Sequence, residues 1–158
     1  MKRTTALLMS CLCITAVQAD PSTITEILVT AEFRDIPLQQ QGASTSVLTG
    51  NELQLRAAQH LEDVLNVAPN VNYASGASRA RFFQIRGVGE RSQFVEPLNP
   101  SIGFIIDGID FSGLGTAGTL FDVAQIEILR GPQGTLHGAN ALAGLINVTT
   151  MAPQEEPA

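Results

Sequence analysis

"RGPQGTLHGANALAGLINVTT", residues 130–150, is the stretch on which the fold turns. Four glycines, at 131, 134, 138 and 144, lead into an abruptly β-like run. Such spacing invites a phosphate-cradling loop, and the residues around it fail that test. A Walker A loop needs Lys after its last glycine, and the chain's only lysine is Lys2. No long helix opens behind the glycines to aim its N-terminus at an anion. The glycines instead supply tight turning between two short strands, with backbone allowed close to a neighbouring surface.

The chain opens with MKRTTALLMSCLCITAVQAD. Lys2 and Arg3 make a positive start, Ala6 to Val17 an apolar middle, and Val17-Gln18-Ala19 a small-residue cleavage pattern. This is a secretory signal over residues 1–19, too short to span a membrane. A lipobox ending at Cys11 is the other reading, and it leaves almost no apolar core before the cysteine. Cleavage after Ala19 removes both cysteines, Cys11 and Cys13, and with them any disulfide or thiol chemistry. Loss of Lys2 and Arg3 takes the formal net charge from −6 to −8, and every remaining basic residue is arginine. An acidic, exported chain is a poor nucleic-acid binder, because phosphate contacts need net positive charge. Arginine without lysine suits bidentate ion pairing in partly dry places.

Downstream, "TEILVTA" (residues 25–31) is a compact β-type run followed by the polar "EFRDIPLQQQG". The run is either an edge waiting for another protein's sheet or the first strand of the domain itself; residues 20–42 otherwise read as a linker. Ser44 to Leu48 alternates as a strand. Thr49-x-x-Glu52 is a capping box, and Leu61, Val64, Leu65 and Ala68 form a helical apolar stripe closed by Pro69. Further strands are expected at Val71 to Ala74, around Phe83 and Ile85, at Ile102 to Ile106, around Ile126 and Ile128, and at Leu145 to Thr150. Leu120 to Ala124 reads as one helical turn. The expected fold is a single α/β (α+β) domain over residues 43–150, with a mixed sheet of short strands and two or three short helices, and a tail over 151–158.

No catalytic constellation emerges. "GLGTAG" (residues 113–118) matches G-x-G-x-x-G, but too few residues follow for the crossover helix of a dinucleotide site, and it reads as a flexible loop. His60 and His137 stand alone, without cysteines or a second histidine at ligand spacing, so no metal or cofactor is expected. Glu62 and Asp63 read as solvated charge. Arg79, Arg81, Arg86 and Arg91, interleaved with Phe82 and Phe83, read as guanidiniums meeting carboxylates on a partner surface.

Taken in order, "EILVTAEFR", the L-x-x-V-x-N-V-x-P-x-V series from Leu61, "FQIRGVG", "GFIIDGI" and "IEILRGPQGTLHGANALAGLINVTT" closely resemble the plug domain of TonB-dependent outer-membrane receptors. The resemblance runs from Thr25 to Thr150. It implies a small mixed-sheet domain seated inside a β-barrel of the same polypeptide, in the outer membrane, taking up a scarce small-molecule solute such as a ferric siderophore or cobalamin. It implies that Thr25, Glu26, Ile27, Leu28, Val29, Thr30 and Ala31 form the TonB box, which adds a strand to the C-terminal domain of TonB. It further implies that Arg86 and Arg130 pair outward with barrel carboxylates, and that solute contacts come from loops near 75–80, 88–99 and 112–118. His137 stands where the family often has Tyr, and Ala143-Gly144 where it often has Gly-Gly. Only eight residues follow Thr150, where family barrels begin, so the expectation is a plug portion of a transporter or, alternatively, a standalone periplasmic module that engages TonB.

Overall fold

The computed structural model describes residues 26–75, 79–91 and 98–153; the expected signal peptide and Thr25 lie outside them. Among the described residues, nine strands and three short helices follow one another: β1 (Leu28–Val29), β2 (Ile36–Pro37), β3 (Ser44–Thr49), α1 (Gly50–Leu55), α2 (Leu61–Leu65), β4 (Val71–Ala74), β5 (Phe82–Ile85), β6 (Ile102–Ile106), β7 (Ile109–Asp110), β8 (Val123–Arg130), α3 (Gly134–His137) and β9 (Gly144–Thr150). The main sheet has the order β3-β8-β9-β6-β7. All its pairs are antiparallel except β6 with β9, where Ile102 faces Gly144. The mixed sheet with few short helices is therefore the one expected, and its last strand in sequence lies at its centre.

Period-2 alternation divides the side chains of this sheet between two faces. Ile126, Ile128, Ile146, Val148, Ile102 and Phe104 point to the larger core, which the helices and the β4–β5 hairpin cover with Leu53, Leu61, Val64, Leu65, Phe83 and Ile85. Leu129, Leu145 and Ile105 point to the opposite face and pack with Val29, Ala31 and Ala141. Near-continuous burial of β8 and β9 follows from this two-sided cover.

The helices begin where capping chemistry places them. Thr49 N–H donates to Glu52 Oε2 at 2.8 Å, and Glu52 N–H donates back to Thr49 Oγ1 at 3.4 Å. Asp63 is not merely solvated: its Oδ2 accepts from the N–H groups of Gln59 (3.1 Å) and His60 (3.0 Å), satisfying donors at the start of α2. Its four-residue apolar stripe is buried as the spacing requires.

Three local expectations need correcting. Residues 120–122 are a turn into β8 and not a helical turn, with Asp122 at φ +54°. The residues from Gly113 to Gly118 are a packed corner and not a flexible loop: a short 3-10 turn spans Gly115–Ala117. A Cβ on Gly115 would lie 2.5 Å from the carbonyl oxygen of Arg81 and 2.7 Å from the Phe83 ring, and one on Gly118 would lie 2.9 Å from Leu61 Cβ. The glycines here let backbone reach the core. The polar stretch after Ala31, read as linker, contains β2, which gives β1 a partner.

Candidate functional site

The N-terminal strand folds back on its own domain. Leu28 pairs with Pro37 and Val29 with Ile36, and Leu38 N–H donates to Ile27 O at 2.9 Å. The hairpin turns at Thr30–Phe33, where Phe33 N–H donates to Thr30 O at 3.0 Å and Phe33 sits at φ +59°. Val29 is fully buried and Ala31 nearly so, whereas Glu26 and Leu28 are exposed. The segment is thus the first strand of the domain itself, and the expectation of a partnerless edge does not hold in this state. Its ladder is nevertheless only two residues long.

What fixes the turn is a carboxylate. Glu127, in the middle of β8, is wholly buried. Its Oε1 accepts from Thr30 N–H (2.7 Å), Thr30 Oγ1 (2.9 Å) and Gln125 Nε2 (2.6 Å). Its Oε2 accepts from Ala31 N–H (2.7 Å) and Asn147 Nδ2 (3.2 Å). Five donors and no cation satisfy this charge, which would otherwise be costly to bury. Gln125 Nε2 also donates to Leu28 O at 3.1 Å. From α3, His137 Nε2 lies 2.8 Å from Ala31 O, and since a carbonyl only accepts, this ring nitrogen is the donor. The His137 ring stacks on Phe33 with centroids 5.0 Å apart. A cavity of about 200 Å³ lies beside the turn, lined by Thr30, Ala31, Phe33, Ile105, Asp107 and His137 among others. Hydrogen bonds and the burial of Val29 and Ala31 together hold this segment.

Sequence reasoning missed Glu127, Gln125 and Asn147. A signal was present: a carboxylate between two isoleucines of a strand buried on both faces demands donors, and only the fold shows whose they are. The stretch from Arg130 that first suggested a ligand loop contributes His137 to this clamp and Gly144 to the sheet centre.

The arginines separate. Arg130 closes β8, and it is 6% exposed. Its Nε donates to Pro69 O at 3.0 Å and its Nη2 to Ser46 Oγ at 2.8 Å. Two of its nitrogens thus bind within the domain, leaving Nη1 without a hydrogen bond among the described residues. Burial lowers the pKa of Arg130, and the nearby charge of Arg86 lowers it further. Arg86 itself is exposed at φ +54°, its N–H donating to Asn70 O at 2.8 Å. Neither takes part in a salt bridge among the described residues. Arg79 by contrast pairs internally with Glu62 at 3.7 Å. Arg81 donates from Nε to Gly113 O at 3.2 Å and lies over the Phe82 ring, 5.1 Å from its centroid. Both therefore have partners within the domain.

Of the loops expected to face solute, residues 76–78 and 92–97 lie outside those described. The base of the second is pinned by Glu90, whose Oε1 accepts from Ser101 N–H at 3.0 Å and from Ser101 Oγ at 2.8 Å.

Comparison with known proteins places this geometry. The TonB-dependent Receptor Plug Domain family matches residues 37–145. The pesticin receptor of Yersinia pestis is 30% identical over 141 residues, covering 89% of this chain and 20% of that protein. The vitamin B12 transporter BtuB of Vibrio vulnificus is 28% identical over 135 residues, covering 81% of this chain and 21% of that one. The crystal structure of the ferric yersiniabactin uptake receptor FyuA from Yersinia pestis superimposes with a TM-score of 0.63 at 29% identity, over 74% of this chain and 18% of that chain. The chain spans about a fifth of the length of the curated relatives it matches.

Proposed function

This chain belongs to the TonB-dependent receptor plug family, and from that premise we propose that it forms the plug of an outer-membrane receptor that imports a scarce solute. The solute class is a ferric siderophore, cobalamin or a similar complex, by likeness to relatives named for ferric yersiniabactin uptake and vitamin B12 transport. Thr25, Glu26, Ile27, Leu28, Val29, Thr30 and Ala31 form the TonB box, facing the periplasm. The observation that carries this reading is a β-prone segment just upstream of the family match, with a ladder of its own only two residues long. Such a strand can exchange its short pairing for a longer one on TonB's sheet, through main-chain hydrogen bonds. Titrating the chain with the C-terminal domain of TonB, followed by amide shifts of Glu26 to Ala31, is expected to show saturable binding that a free TEILVTA peptide competes away. Saturable binding that the peptide leaves untouched would move the contact elsewhere on the domain.

Arg86 and Arg130 are the contacts to the barrel wall, with Arg86 fully presented and Arg130 offering its remaining nitrogen. Two neighbouring guanidiniums with no carboxylate between them repel one another until an acidic partner arrives. Arg86→Gln is therefore expected to raise the Tm of the chain slightly, by an increment that shrinks in high salt. A lowered Tm would mean that Arg86 already has a stabilising partner within the chain, and would end the barrel pairing.

A further inference from the structure

We propose that the cavity between the Thr30–Phe33 turn and the main sheet is a binding site for a small organic cation, an ammonium or guanidinium group on a short apolar body. The inference is independent of the TonB reading. It follows from which polar groups around the cavity are already occupied. Ile105 of β6, Asp107 just beyond it, and Asn147 and Thr149 of β9 line one side; Thr30, Phe33 and His137 line the other. Thr30 Oγ1 and Asn147 Nδ2 both donate to Glu127, and His137 Nε2 donates to Ala31 O. These side-chain donors are thus engaged within the protein, and acceptors are left over. Asn147 is only 8% exposed, and its Oδ1 receives no hydrogen bond from any described residue. An amide oxygen so deeply placed is costly to leave without a donor. Asp107 accepts from Thr150 N–H and Thr150 Oγ1, both at 2.9 Å, while a carboxylate has about four lone-pair sites in all. Neither Asp107 nor Glu127 takes part in a salt bridge among the described residues.

Charge and shape agree on the occupant. Glu127 does not line the cavity, but it is hydrogen-bonded to Thr30 and Asn147, which do. Its negative charge therefore adds to that of Asp107 in drawing a cation inward. Phe33 and Ile105 supply apolar surface, and an aromatic ring attracts a cation further. Apolar cavities of about 150 Å³ accept a benzene ring. This one, at about 200 Å³, has room for a ring with an aminomethyl arm. An anion would meet acceptors alone, and a neutral ring would leave Asn147 Oδ1 without a donor.

The test is a titration of the whole chain with benzylammonium chloride at constant ionic strength, followed by the side-chain amide signals of Asn147 and the methyl signals of Ile105 and Thr149. Saturable shifts centred on these residues are expected. Benzyl alcohol, the neutral analogue of the same shape, is expected to bind about tenfold more weakly, the scale of one charge-assisted hydrogen bond. Asp107→Asn is expected to remove most of that difference by weakening benzylammonium alone. Because Asp107 also holds Thr150, Phe33→Asn serves as a second variant, at an exposed position whose φ of +59° asparagine tolerates. It is expected to weaken both ligands. Equal affinity for the charged and neutral ligands would overturn the cation site, as would unchanged benzylammonium affinity in the two variants. Shifts that never saturate in the wild type would overturn binding in this cavity altogether.

Discussion

Gly144→Ala is expected to cost about 3 kcal/mol, at the upper end of what one added methyl does in a packed core. That is a large share of a domain's total stability of roughly 5–15 kcal/mol. Gly144 opens β9 between Arg130 of β8 and Ile102 of β6. A Cβ there would stand 2.6 Å from Ile85 Cδ1 and 2.6 Å from the carbonyl oxygen of Leu129. The isoleucine can change rotamer, but the carbonyl belongs to the neighbouring strand and moves only if the sheet does. Gly134→Ala is the control: nothing lies within 4 Å of its new methyl. Urea unfolding should show a clearly smaller loss for Gly134→Ala. Equal midpoints for Gly144→Ala and wild type would mean that the strand spacing at this point is not fixed.

Val29→Pro is expected to weaken TonB binding beyond about a hundredfold. Proline removes a ladder donor, clamps its own φ and restricts Leu28 before it. Inside the domain the same change opens β1, because Val29 is fully buried and paired with Ile36. That disruption frees the segment, so by itself it would favour capture; a loss of binding must come from the missing donor. Val29→Ala keeps the donor and is expected to bind within a fewfold of wild type in a calorimetric titration. Wild-type affinity in the proline variant would remove residues 25–31 from the TonB contact.

The parts of the fold legible in sequence were those governed by short-range rules. The Thr49–Glu52 capping box, the Leu61 to Ala68 stripe and the strands expected at Ser44 to Leu48, Val71 to Ala74 and Leu145 to Thr150 all depend on neighbours within a turn or a pleat. β2 and β7 are two residues each, too short to show any period. The packed corner at Gly113 to Gly118 looked loose because nothing local reveals that Phe83 and Leu61 crowd it. The clamp around Glu127 was illegible for a related reason: Glu127 and Thr30 lie 97 positions apart. Arg130 was recognisable as special, but the direction of its guanidinium depends on Pro69 and Ser46, which only the assembled sheet brings within reach.

The central place of β9 carries a consequence for how the domain comes into being. β6 and β8 are both synthesised before the strand that separates them, and neither touches the other in the finished sheet. A chain delivered N-terminus first therefore carries two apolar strands with open sides until Gly144 to Thr150 arrives. Pairings of this kind are distant in sequence and form slowly. A nascent chain halted short of Gly144 can pair β3 with β8 and β6 with β7, but the two halves of the main sheet stay unjoined.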